Sequence, residues 1–191
     1  PCMKHSHMSS RLALECAREN GIQTVFTTAW GDNGAEASIY STLPSLCLYG
    51  EMRYSEGDLD KGVSAKLKAL TGYTLEEFFE LDSPNMNDGG VRNPSKYLLY
   101  QDPLMGLFDY HVGKDYPDRY TACGKRLSSL AERDSKLAYL FHTLAKLSGV
   151  LELKCDLGVR LKEAYESLLD YEQQIKGGLT PQEGCAESAL L

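Results

Sequence analysis

The feature that most constrains this chain is one uncharged run rich in β-branched residues, Ile22-Gln23-Thr24-Val25-Phe26-Thr27-Thr28-Ala29, in a sequence that otherwise reads as helix. Such a run directly after a helix predicts a buried strand of a parallel sheet. The helix before it is expected over residues 8–20, where Met8, Leu12 and Cys16 fall at i, i+4 spacing beside Ala13 and Ala17. Ser6 or Ser9 can cap its start, and Asn20-Gly21 supplies a left-handed stop. Trp30-Gly31-Asp32-Asn33-Gly34 then turns the chain, and a second helix is expected from Ala35. Helix, strand, turn and helix make one α/β unit, which cannot stand alone because a parallel strand needs neighbours on both edges. No other segment of the 191 residues offers a comparable strand, so its partners are expected to lie outside this chain.

From Leu43 onward the periodicity is helical. Pro44 can open a helix that carries Leu46, Leu48, Tyr49 and Met52. Further helices are expected over 58–71 and 74–81, the latter opened by Thr74 with Glu76 and Glu77 in its first turn. Residues 82–94 carry Pro, Asn, Asp and Gly in the density of a loop. Helices follow over 116–132, along the stripe Leu137, Leu140, Phe141, Leu144, Leu147 and Leu151, and from Val159 to Ile175. From Gly177 the sequence is aperiodic and reads as a tail.

Charge narrows the partners. With 27 acidic against 20 basic residues and a net charge of -7, the chain has no basic stripe to neutralise phosphates, so nucleic acid is not expected. No apolar run approaches the ~20 residues of a membrane span, and Pro1–His7 lacks the apolar core of a signal peptide. Cys2, Cys16, Cys47, Cys123, Cys155 and Cys185 are scattered without a C-x-x-C pair, which points to free thiols and a cytoplasmic protein.

The glycine-rich corner holds the most informative chemistry. In α/β folds ligands bind beyond the C-terminal ends of the strands, where Trp30, Asp32 and Asn33 are expected to lie. An indole covers the apolar face of a sugar ring, while a short carboxylate and an amide take its hydroxyls in directed hydrogen bonds. The alternative is that Trp30 anchors a core and Asp32-Asn33-Gly34 is a capping turn. Weaker signals favour plain readings. Cys2, His5 and His7 could ligate zinc, but no fourth partner is placed, and no metal or organic cofactor is expected. His111 and His142 have no Ser, Cys or Asp arrangement around them that suggests nucleophilic catalysis. Tyr97, Tyr100, Tyr110, Tyr116 and Tyr120 suit packing and interfaces, and Glu76, Glu77 and Glu80 a solvated helix face.

The stretch Thr27–Ser38 with its Trp-Gly-Asp-Asn-Gly corner, followed by Leu43-Pro44 and Glu51, resembles the last barrel strand of family 20 exo-β-N-acetylhexosaminidases. The likeness is to the bacterial subgroup that ends in a helical domain. Asn93–Leu104 with Gly106-Leu107-Phe108-Asp109 resembles that domain's hallmark segment, and Lys154–Arg160 with Ala164-Tyr165 its final helices. The resemblance implies a mainly α chain: residues 1–57 as the last unit of a (β/α)8 barrel, 58–176 as a helical C-terminal domain, and 177–191 as a tail. It implies that Trp30 walls the pocket of a terminal N-acetylhexosamine and that Asp32 and Asn33 bind its hydroxyls. The family's acid is a Glu preceded by an Asp that orients the substrate's acetamido group, an exception to the usual two-carboxylate scheme. No adjacent Asp-Glu occurs in this chain, so no catalytic residue is assigned. The expected partner is an N-acetylhexosamine-terminated glycan. The rival reading is a non-catalytic helical scaffold or dimerisation module, and either reading allows a homodimer through a helix face.

Overall fold

The computed structural model describes residues 2–30, 36–55, 57–86 and 94–177. These form α1 (Met3–Glu19), α2 (Leu43–Tyr54), α3 (Leu59–Thr71), α4 (Leu75–Phe79), α5 (Pro94–Tyr100), α6 (Tyr116–Ala131), α7 (Ala138–Lys154) and α8 (Leu157–Lys176), with short 3-10 turns at Ile39–Thr42, Glu80–Asn85 and Asp109–His111. Among the described residues there is no strand.

Local signals set most helix ends. Asp58 caps α3 by accepting from the Asp60 and Lys61 amides at 3.1 and 3.3 Å, and Gly72 closes it at φ +83°. Thr74 and Glu77 form a capping box at α4, each accepting from the other's amide. α1 differs from expectation. It begins at Met3, ahead of the expected residue 8, and neither Ser6 nor Ser9 caps it. The cap is supplied from elsewhere: the buried Asp82 carboxylate accepts from the Met3 amide at 2.6 Å and the Lys4 amide at 2.8 Å. A carboxylate at a helix N-terminus meets both orphan amides and the positive end of the dipole. Burial pushes the Asp82 carboxyl up, and these two amides pull against that. The expected loop from residue 82 begins as a 3-10 turn, Glu80–Asn85, which presents Asp82 to α1.

Two apolar clusters hold the helices. The larger joins Leu14 of α1, Leu48 of α2, Val63 and Leu67 of α3, and Leu127, Leu140 and Phe141 of α6 and α7, around Tyr73, Phe78 and Leu81. α6 and α7 run antiparallel and approach closely at Gly124, where a β-carbon would lie 3.5 Å from that of Ser148. The smaller cluster, Met86, Leu98, Tyr116, Tyr120, Leu151 and Cys155, joins α5 to the far ends of α6 and α7.

Between α4 and the turn after α6 an ion pair closes the larger core. Arg133 grips both carboxylate oxygens of Glu77, donates to the Gly72 carbonyl at 3.1 Å, and covers the Tyr73 ring at 5.3 Å. The Arg133 guanidinium holds the Glu77 carboxyl below its ordinary value of 4.5. A lowered folded value means stability present above 4.5 and lost as pH falls through the folded pKa. Between pH 5 and 3 the denaturation midpoint of the native chain is therefore expected to fall more steeply than that of Glu77→Gln. Parallel curves in urea at the two pH values would remove this pair from the acid response.

The expected strand is corrected. Residues 22–30 follow α1 without regular structure, and their side chains are exposed, with Phe26 87% accessible. A strand is stable only when its amides and carbonyls are paired and one face is covered. No other described segment is extended alongside residues 22–30, so neither condition is met.

Candidate functional site

Residues 22–30 carry the sugar-binding candidate away from the helical body. Trp30 is 79% exposed, and its indole Nε1–H donates to the Thr28 hydroxyl at 2.9 Å. It is not a core anchor. Asp32 and Asn33, with Gly31 and Gly34, lie outside the described residues, as does the expected helix start at Ala35.

The chain beyond the corner is tied down by long-range bonds. Glu36 pairs with Lys96 of α5 at 3.1 Å, and the Ser38 and Tyr139 hydroxyls meet at 2.8 Å. Ser38 also caps the 3-10 turn Ile39–Thr42, which runs into α2. One arm of the corner is thus held by the helical body, while the other, residues 22–30, makes no such contact among the described residues.

The helical body has its own ordered segment at Gln101–Asp109. The Gln101 amide group bridges it, donating to Asp109 Oδ1 at 3.1 Å and accepting from the Phe108 amide at 3.0 Å. Asp102 accepts from the Leu104 amide at 2.8 Å, and Phe108 stacks on Tyr97 at 4.8 Å. Gly106 turns the segment at φ +55°, a left-handed value that favours glycine. Asp109 then packs against Gly158 at the start of α8, where a β-carbon would stand 2.5 Å from its carboxylate. Lys154 Nζ donates to the Leu99 carbonyl, so α7 and α5 close over the same place. The two segments that carried the helical-domain resemblance therefore meet, over the described residues, at Leu99–Lys154 and Asp109–Gly158.

The Glycoside Hydrolase 20C C-terminal domain model matches residues 73–173, just over half of the chain. The chain belongs to this family. The match begins at the buried Tyr73 and ends within α8, so the 20C domain includes α4 to α7, the Gln101–Asp109 segment and the Asp109–Gly158 contact. Trp30, Asp32 and Asn33 lie upstream of it. A search of the curated proteins found no match.

The remaining buried charged groups in this 20C protein tie helices together. His7, buried on α1, meets Asp60 at 3.0 Å, and Asp60 also accepts from Arg11 at 3.0 Å, a link between α1 and α3. His5 is exposed, and among the described residues no group of three His, Cys, Asp or Glu could hold a metal. Glu51 is buried against Gly62 and paired with Lys66 at 2.5 Å, which holds its carboxyl below the usual range. Neither the Glu36–Lys96 nor the Asp82–α1 contact left a signal in the sequence, because both join residues far apart in the chain. A signal was present for Gly158: a glycine opening an otherwise strong helix lowers its propensity and marks a close approach.

The thiols report on this packing. Cys16, Cys47, Cys123 and Cys155 carry free thiols. Burial pushes the Cys155 thiol up to about 12. At pH 8 a disulfide reagent is expected to titrate exposed Cys2 and Cys16 at once, and Cys155 only after urea unfolds the chain. Fast labelling of Cys155 in native protein, located by peptide mass, would contradict the packing of α7 on α5.

Proposed function

We propose that this chain is the C-terminal portion of an exo-β-N-acetylhexosaminidase, which removes terminal N-acetylglucosamine or N-acetylgalactosamine from glycans with retention. The observation that carries the reading is the 20C domain match over 73–173, preceded by the Trp-Gly-Asp-Asn-Gly corner. In this reading Ile22–Ala29 is the eighth strand of a (β/α)8 barrel whose other strands are supplied by residues outside the chain. The apolar side chains of Ile22, Val25 and Phe26, all exposed here, would be the surface such neighbours cover. Trp30 forms a wall of the sugar pocket, and Asp32 and Asn33 take hydroxyls away from the scissile bond. The helical domain's part is to hold the corner's downstream arm through Glu36–Lys96 and Ser38–Tyr139.

The chemistry runs through the substrate. Its acetamido oxygen attacks the anomeric carbon as the glycosidic bond breaks, and a Glu gives its proton to the leaving oxygen while the neighbouring Asp orients the acetamido group. That Asp-Glu pair is absent from the 191 residues. The test has two arms. The 191-residue chain alone is expected not to hydrolyse a nitrophenyl N-acetyl-β-glucosaminide, whereas protein extended upstream to include the Asp-Glu pair is expected to do so. Turnover by the isolated chain at an ordinary glycosidase rate (roughly 1–1000 per second) sinks the assignment of the acid to another segment. A reading frame with no upstream βα units and no Asp-Glu pair favours the scaffold reading.

A further inference from the structure

α1 connects two parts of the molecule that lie far apart in the sequence. Its C-terminal end leads into the corner. There the Gly21 amide donates to the Arg18 carbonyl at 3.2 Å, and the Ile22 amide to the Ala17 carbonyl at 2.9 Å. Gly21 takes φ +65°, so the Ile22–Ala29 run leaves α1 from a tightly turned, bonded point. The N-terminal end is held by the 20C domain. Asp82, which accepts from the Met3 and Lys4 amides, lies within the matched residues 73–173, and α1 lies outside them.

Asp82 stands on a braced platform. Its 3-10 turn, Glu80–Asn85, puts Leu81 into the larger core and is fastened at three further points. Glu80 pairs with Arg126 of α6 at 3.3 Å, and Ser83 Oγ meets Cys123 Sγ of α6 at 3.0 Å. Asn85 Oδ1 accepts from the Ser95 hydroxyl of α5 at 2.8 Å. Burial works against the ionised Asp82 carboxyl in this place, and the two α1 amides are what offset it. Elsewhere α1 is held from the side. His7 and Arg11 each meet Asp60 of α3 at 3.0 Å, and the Ser6 hydroxyl lies 3.1 Å from that of Ser45 on α2. Asp60 is half exposed, so its bonds are the weaker hold. Leu14 enters the core about 16 Å along the helix from Met3 and about 8 Å from Glu19. With its start released, α1 can swing about Leu14, and its far end follows at roughly half the displacement.

We propose that Asp82 is a positioning residue for the sugar corner: through α1 it sets where the Ile22–Ala29 run, and with it Trp30, stands relative to the 20C domain. Glu36–Lys96 and Ser38–Tyr139 hold the downstream side, so the helical domain braces the corner from both ends. A displacement of about 1 Å at a binding wall can cost up to ~100-fold in rate, which is why a cap so far from the sugar matters. The positioning role rests on the glycosidase reading above, whereas the clamp on α1 does not.

Two measurements test the two parts separately. In the 191-residue chain, Asp82→Ala is expected to speed amide exchange at Ser6 to Ser9 roughly tenfold, because two α1 amides lose their acceptor. The amides of Leu127 and Phe141, fully buried on α6 and α7, are expected to exchange as in the native chain. Asp82→Asn keeps one acceptor oxygen, and asparagine caps a helix about as well as aspartate, so it is expected to restore slow exchange. In protein whose barrel is complete, Asp82→Ala is expected to raise KM for an N-acetyl-β-glucosaminide roughly 3- to 10-fold with kcat nearly unchanged. The corner grips the sugar alike in the ground and transition states, which is the signature of uniform binding. Asp82→Asn is expected to bring KM back to within about twofold of native. Unchanged exchange at Ser6 to Ser9, or equal acceleration at Leu127 and Phe141, overturns the clamp. Faster exchange in α1 with a native KM overturns the positioning role. Native complete protein without this activity overturns the glycosidase reading and the positioning role together, while exchange still decides the clamp.

Discussion

Trp30→Ala, made in protein whose barrel is complete, is expected to lower kcat/KM for an N-acetyl-β-glucosaminide by roughly 10- to 100-fold and to leave the melting temperature almost unchanged. The two halves of this expectation have different sources. The indole is 79% exposed and its only described polar contact is with Thr28, so removing it opens no cavity in the helical body. Exposed substitutions of this kind usually alter stability by less than about 0.5 kcal/mol. On the substrate side, covering about 100 Å² of a sugar's apolar face at ~25 cal/mol per Å² gives about 2.5 kcal/mol. Each 1.36 kcal/mol in the transition state is tenfold in rate. Asp32→Ala is expected to cost a similar factor through a lost charge-assisted hydrogen bond. A variant that melts several degrees lower with unchanged kcat/KM would restore the reading of Trp30 as an anchor.

Phe141→Ala carries the largest expected loss of stability, about 3–5 kcal/mol, the usual cost of emptying a buried aromatic site. Phe141 is fully buried on α7. Its ring lies 4.4 Å from that of Tyr73 and 6.2 Å from that of Phe78, and the Tyr73 hydroxyl donates to the Leu130 carbonyl at 2.9 Å. The three rings join the turn after α3 to α4 and α7, and Tyr73 also reaches α6, so the cavity would open where these elements meet. Against a typical total of 5–15 kcal/mol for a domain, that loss removes a large share of the stability. The measurement is urea unfolding followed by helix dichroism, since the only tryptophan is exposed and would report poorly on the core. A change in midpoint equivalent to less than about 1 kcal/mol would mean that the site collapses around the smaller side chain.

Most of the helical body was legible because its signals are local. Asp58, Thr74 with Glu77, and Gly72 sit within one turn of the ends they set, and the leucine stripe of 137–151 lies along a single helix. α5 was not expected. It is seven residues long and follows a stretch dense in turn residues, so its periodicity is too short to register against its surroundings. α1 starts five residues ahead of the expected residue 8 for a different reason. Its cap is Asp82, distant in sequence, and the local sequence offers only Ser6 and Ser9 as caps.

The candidate site divides in the same way. The sequence by itself supplied the corner's chemistry, an indole, a carboxylate and an amide in a glycine-rich turn, and the resemblance that the 20C domain match supports at the level of the family. It also held the β-branched run Ile22–Ala29, but composition expresses only a preference for strand. Whether a strand forms depends on hydrogen-bond partners that a single segment cannot provide. Only the tertiary structure decided that Trp30 stands clear of the core, that Glu36 and Ser38 are held by Lys96 and Tyr139, and that Asp109 seats on Gly158. The last two are contacts between residues far apart in the chain, and all three are fixed by how the helices pack and written in no single stretch of sequence.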